Sequence, residues 1–185
     1  MSNQTVIVED YDPAWPHDFE LLRQRIWPHL ADVALRIEHV GSTSVPGLAA
    51  KPIIDMTIVV AARDDVPKTI DRLTTLGYVH RGTLGIDDRD AFDHPADVRR
   101  HNLYICPAGT IGVVNQVAVR DYLRAHPEAA AQYGALKKRL ADRFPGDIDS
   151  YVLEKTDFVL EILRHAGLTA EQINKIERDN RRPEA

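Results

Sequence analysis

Between His39 and Asp55 the chain reads His-Val-Gly-Ser-Thr-Ser-Val-Pro-Gly-Leu-Ala-Ala-Lys-Pro-Ile-Ile-Asp, gathering small hydroxyl residues, a lysine and a carboxylate into one short stretch. Gly41 can adopt turn geometry without a side-chain clash. The hydroxyls of Ser42, Thr43 and Ser44, with the nearby N–H groups, can donate to phosphate oxygens, chemistry that suits a nucleoside triphosphate. The stretch is not a Walker loop, because Lys51 is followed by Pro52 instead of by a serine or threonine opening a helix. Nor does it fit the glycine fingerprint of dinucleotide sites. Taken alone, Gly41-Ser42 also fits a plain strand-to-loop turn in which Ser and Thr cap local backbone.

The elements that must position these residues follow from periodicity. Residues 34–40 alternate apolar and polar side chains as a half-buried strand does, and they feed directly into Gly41. The branched run 52–60 reads as a central strand with Pro52 at its start and one acidic interruption, Asp55. Residues 5–8 read as a short strand. After Asp12-Pro13 a helix runs to about Leu30, its stripe of Trp15, Phe19, Leu22, Ile26 and Leu30 assigned to the core. A helix over 64–76, a strand near 78–80 and a strand over 101–106 follow, separated by a long loop over 82–98. From Val113 the pattern is helical for most of the remainder, and the charge-rich residues 171–185 read as an exposed helix that frays into disorder.

With 185 residues, 44% of them hydrophobic and 28% charged, the chain can bury one core but not two full-sized domains. The formal net charge of -5 gives no overall pull toward nucleic acid, so a polynucleotide partner is not expected. Cys106 is the single cysteine and cannot form an internal disulfide; with an N-terminus unlike a signal peptide, a reduced, cytoplasmic protein is expected. No apolar run has the length to cross a bilayer, so no membrane partner is expected. The histidines do not cluster with thiols or carboxylates at zinc-ligand spacing.

Read as a whole, Glu38-His39 through Asp55 resembles the signature of the GrpB family, Glu-His-hydrophobic-Gly-Ser-Thr-small-Val-Pro-Gly-Leu-x-Ala-Lys-Pro-x-Ile-Asp. The likeness continues through Arg89, Arg120-Asp121-Tyr122-Leu123-Arg124, Tyr133, Leu136-Lys137, Tyr151 and Lys155, covering about residues 5–168. It implies an α+β, nucleotidyltransferase-like fold of the polymerase-beta type: a mixed β-sheet packed with helices, plus a C-terminal helical lobe over about 113–168. The expected organisation is one domain over 1–168 and a charged C-terminal tail over 169–185.

The resemblance also implies a chemistry. Transferases of that superfamily hold a nucleoside triphosphate on the Gly-Ser turn and bind magnesium through carboxylates spaced Asp-x-Asp, because alternate strand residues face one side. Asp55 fits the first position as catalytic group and magnesium ligand; Thr57 takes the second, and residues 101–106 supply no third carboxylate. Lys51, Arg89, Arg100, Lys137 and Lys155 can neutralise polyphosphate. Tyr133 with Lys137 and Tyr151 with Lys155 lie one helical turn apart and can face the cleft together. His39 and His101 flank the expected site, and His101 is the catalytic candidate as base or donor. The expected function is magnesium-dependent nucleotidyl transfer from a nucleoside triphosphate to a small-molecule acceptor. Two alternatives stay open: a catalytically silent nucleotide-binding or regulatory module, which Thr57 favours, and a different group-transfer or ligase-like reaction in the same cleft.

Overall fold

The computed structural model describes residues 5–181, and its sheet is built around the branched run Ile54–Val60, strand β2. Before it come helix α1 (Trp15–Ile26) and strand β1 (Ala34–Val40). After it come α2 (Val66–Thr75), β3 (Val79–His80), β4 (Asp90–Asp93), β5 (His101–Pro107), α3 (Ile111–Ala125), α4 (Pro127–Arg143), α5 (Ile148–His165) and α6 (Ala170–Asn180). The five strands lie in the order β1-β2-β5-β4-β3. β2 pairs antiparallel with β1 and parallel with β5, and β5 pairs antiparallel with β4, so the sheet is mixed.

Period-two alternation divides the sheet into two faces. Ile54, Met56 and Ile58 pack with Trp15, Leu22 and Ile26 of α1, and with Leu73 of α2, in the largest apolar cluster. Their neighbours Asp55, Thr57 and Val59 face the other way: Val59 meets Cys106 and Val113 of α3, and the Thr57 hydroxyl donates to Gln116 Oε1 at 2.6 Å. Helices α1 and α2 therefore cover one face, while α3 and the helices behind it cover the other. Val45 and Leu48, just beyond the Gly-Ser turn, are buried with Leu123, Tyr133 and Ile162, which ties that loop to the helical lobe.

Three expectations need correction. Residues 5–8 form no strand; Val6 N–H donates to Pro145 O at 2.9 Å while its side chain is buried with Leu140 and Tyr151, so tertiary docking replaces a ladder. The stretch 82–98 is not loop throughout, because Asp90–Asp93 forms β4 between β3 and β5. Two apolar residues flanked by aspartates carry no readable alternation; the strand pairs Ala91 with Tyr104 and Phe92 with Leu103 of β5, burying both, and His80 Nε2 meets Asp90 Oδ1 at 2.9 Å. The charged segment after residue 168 begins with a capping box of Thr169 and Gln172, then buries Ile173 and Ile176 of α6 against Leu160 and Leu163 of α5. Two isoleucines three residues apart suffice for docking amid charge. The fraying expected toward residue 185 concerns positions 182–185, outside the described residues.

Among the described residues no helix is long and apolar enough to cross a membrane. Ile176→Ala is expected to lower stability by about 2–4 kcal/mol in urea unfolding, the range for truncating a buried isoleucine. An undocked tail would give no change.

Candidate functional site

The Gly-Ser turn starts where β1 ends. Val40 stands opposite Asp55 across the antiparallel pair, and Gly41 has φ 69°. A Cβ there would lie 2.8 Å from Asp55 Cγ, so a side chain at 41 would displace the carboxylate as well as strain the backbone. Ser44 Oγ donates to Gly41 O at 2.6 Å, and His39 Nε2 lies 3.0 Å from Thr43 Oγ1. Two arginines one helical turn apart on α3 clamp the turn from behind. Arg120 donates to Glu38 Oε2 at 2.6 Å and to His39 O at 3.1 Å; Arg124 donates to Ser44 O through Nε at 3.0 Å and Nη2 at 2.8 Å.

In front of the turn lies a cleft of about 280 Å³. Its floor is the start of the parallel β2–β5 pair, where Asp55 stands beside Asn102 and accepts a hydrogen bond from Asn102 Nδ2 at 2.7 Å. The loop before β2 contributes Lys51, and the helical lobe contributes Lys137, Tyr151 and Lys155. Lys155 Nζ and Lys51 Nζ lie 5.4 Å and 5.8 Å from the centre of the Tyr151 ring. Lys137 Nζ sits 4.6 Å from the Tyr133 ring centre and donates to Ala49 O. The Arg89 guanidinium also lines the cleft, 4.6 Å from the centre of the Tyr104 ring, and its buried Nε finds no hydrogen-bond partner among the described residues.

One carboxylate among several cations sets the electrostatics. Burial pushes the Asp55 carboxyl above its usual range, against the opposing pull of the Asn102 hydrogen bond and of Lys51, Lys155 and Lys137. Burial likewise lowers Lys137 to about 6 and Lys155 to about 8, and the neighbouring lysines add to both shifts. The cleft is therefore short of negative charge, and its lysines bear cationic charge at a cost.

Of the residues singled out by sequence, Ser42, Thr43, Lys51, Asp55, Arg89, Lys137 and Lys155 all line this cleft, with Gly41 against the carboxylate. Others are placed elsewhere. His101 faces the opposite side of the sheet from its neighbour Asn102; it is 2% exposed, with Nε2 3.0 Å from the Tyr78 hydroxyl and Nδ1 2.7 Å from Arg99 O. It does not reach the cleft. Tyr133 is buried and stacked on Phe158 at 5.2 Å, so it supports Lys137 without lining the cleft itself. Ser44 and His39 line a neighbouring groove with Arg124, and Arg100 lies at a separate depression. Sequence reasoning missed the parts of Asn102 and Tyr104; counting by twos along β5 from an inward His101 is the signal that finds them.

A magnesium ion held by the protein needs several oxygen donors converging on one point. Thr57 is fully buried and committed to Gln116, the position beside Asp55 on β5 is an amide, and among the described residues no three His, Cys, Asp or Glu side chains come together. Magnesium held through the protein calls for carboxylate oxygens, and here the groups acting on the single carboxylate are ammoniums. The residues do not fit the expected magnesium site.

Comparison with known proteins places the molecule. The model of the family described as GrpB protein matches residues 5–165. The chain belongs to the GrpB family. A UPF0157 protein of Halalkalibacterium halodurans is 36% identical over 173 residues, covering 90% of this GrpB chain and 85% of that protein. The UPF0157 protein YqkA of Bacillus subtilis is 34% identical over 149 residues, 80% of this chain, which spans only 43% of YqkA. Among solved structures, the conserved protein GrpB from Enterococcus faecalis superposes with a TM-score of 0.78 at 37% identity, covering 86% of this chain and 96% of that one. Terminal uridylyl transferase 4 from Trypanosoma brucei with bound GTP superposes at a TM-score of 0.51 and 17% identity, covering 89% and 54%. The GrpB fold is thus nucleotidyltransferase-like.

The buried histidines make a pH test. Burial lowers both His39 and His101 to about 4, with nearby arginines contributing at His39. The unfolded chain, with histidines near 6.5, binds more protons between about 4 and 6.5, so this stability is complete above the upper value and is lost as pH falls toward the lower. Urea unfolding is expected to show a loss on the order of 2–3 kcal/mol per histidine between pH 7 and pH 4, and His101→Gln is expected to flatten the slope.

Proposed function

We propose that this protein binds the polyphosphate of a nucleoside triphosphate in the cleft between the Gly41–Ser44 turn and the helical lobe, as a nucleotide-binding module on a transferase-like fold. The observation that carries the reading is the convergence of Lys51, Lys137, Lys155 and Arg89 on one cleft that Ser42 and Thr43 of the turn also line. Arg89, held flat on Tyr104, presents a forked donor; the lysines supply point charges. Thr57, sealed against Gln116, and Asn102, in place of a further carboxylate, favour binding without the two-metal reaction of the transferases. The cytoplasm, where nucleoside triphosphates are abundant, is the compartment that fits this ligand.

A second reading keeps catalysis: nucleotidyl transfer to a small-molecule acceptor, with Asp55 taking the proton of the acceptor hydroxyl. The raised carboxyl of Asp55, next to the turn that holds the phosphates, favours it. Its balance is simple: the acceptor oxygen bonds to the α-phosphorus, pyrophosphate leaves, and the hydroxyl proton passes to Asp55.

Calorimetric titration with ATP, CTP, GTP and UTP tests the first reading, and release of pyrophosphate in an acceptor screen tests the second. Arg89→Ala and Lys155→Met are each expected to weaken nucleotide binding roughly tenfold, the scale of one charge-assisted contact. Absence of binding by all four nucleotides would overturn the proposal. Pyrophosphate release that disappears in Asp55→Asn would establish the transferase reading over the silent one.

A further inference from the structure

Asp55 is surrounded in a way opposite to a metal ligand. One of its oxygens accepts the Asn102 amide, and Lys51, Lys155 and Lys137 all act on it, so an arriving dication would meet three lysine side chains before it met a second carboxylate. A polyphosphate meets the reverse situation. Two of those lysines sit on the rigid helices α4 and α5, each braced by a tyrosine on its own helix: Lys137 by Tyr133 at 4.6 Å and Lys155 by Tyr151 at 5.4 Å. Lys137 is further fixed by its hydrogen bond to Ala49 O, and Lys51 shares the Tyr151 ring with Lys155. The cations are thus set in place before any ligand arrives, and preorganised charge of this kind binds anions at little reorganisation cost.

We propose that the cleft takes its polyphosphate without a divalent cation, Lys51 and Lys155, with Lys137 regaining its proton as the anion enters, supplying the charge that magnesium supplies in a carboxylate-lined cleft, with Asp55 as the internal counter-ion of the empty site. Asp55 separates the lysines when no ligand is present and opposes the ligand when one enters. Its removal therefore favours an incoming anion, the opposite of what removal of a metal ligand does. The inference rests on the nucleotide reading only for the nucleoside; the phosphate end stands on the cleft itself.

The test is calorimetry with two ligands, ATP and inorganic tripolyphosphate, each titrated in EDTA and in excess magnesium. For the unmodified protein, affinity in EDTA is expected within about threefold of that in magnesium, since chelation of the ligand competes with the lysines. Asp55→Asn is expected to bind about tenfold tighter in EDTA and Lys155→Met about tenfold weaker, as expected for removing one like or opposite charge near the anion. Thermal unfolding of each variant checks that it is folded, and the magnesium comparison needs no variant. Binding that requires magnesium, or weaker binding by folded Asp55→Asn, overturns the proposal while leaving nucleotide binding intact. Binding of tripolyphosphate but not ATP overturns the nucleotide reading and leaves the metal-free site standing. Failure of both ligands in both conditions overturns the two together.

Discussion

The Asp55 carboxylate occupies a place that almost every part of the structure helps to define. It fits beneath Gly41 because that residue has no Cβ, it lies level with Asn102 because β2 and β5 run parallel in register, and it balances lysines carried by two helices and a loop. A half-buried charge of this kind is costly unless compensated. The compensation comes from elements distant in sequence, so the constraint couples the sheet to the helical lobe. The clamp of Arg120 and Arg124 does the same from the far side, fixing the turn to α3 through backbone carbonyls of His39 and Ser44.

Within that constraint the cleft carries its positive charge on side chains around a single carboxylate. The transferase-like fold brings two adjacent strand starts together under a Gly-Ser turn, a geometry that suits paired carboxylates and a metal. Here the strand starts carry one carboxylate and one amide, the next inward position is a threonine sealed against α3, and the positive charge comes from side chains. A lysine is a compact charge on a flexible stem, so it becomes a precise anion contact only when something holds the stem. Tyr133 and Tyr151, each one turn before its lysine, do the holding. Burial that raises the cost of charging these lysines in the empty cleft also strengthens their attraction for an anion that fills it.

Much of this was legible in the chain before folding. The string from His39 to Asp55 shows the turn and the acidic strand, the alternation in residues 34–40 and the branched run after Pro52 show which strands flank it, and the i,i+4 spacing of Tyr133-Lys137 and Tyr151-Lys155 shows that each pair shares a helix face. These are local facts, decided by spacing within one element. The docking of the C-terminal helix and the short strand Asp90–Asp93 escaped the same reading because two isoleucines among charges, or two apolar residues between aspartates, are too few to produce a period.

By itself the sequence determined most of the helices and the strands that flank the turn, the glycine that lets backbone approach carboxylate, and the replacement of a second carboxylate by Thr57. Only the tertiary structure decided which faces met. It turned His101 into the core against Tyr78 and Asn102 out beside Asp55, although the two are adjacent in the chain. It brought Lys51, Lys137 and Lys155 to one carboxylate across long separations, and it sent the side chain of Tyr133 behind the cleft onto Phe158. The physical reason is that a strand or helix fixes the relative directions of its own side chains, while the choice of which side faces solvent, core or cleft belongs to the packing of one element on another.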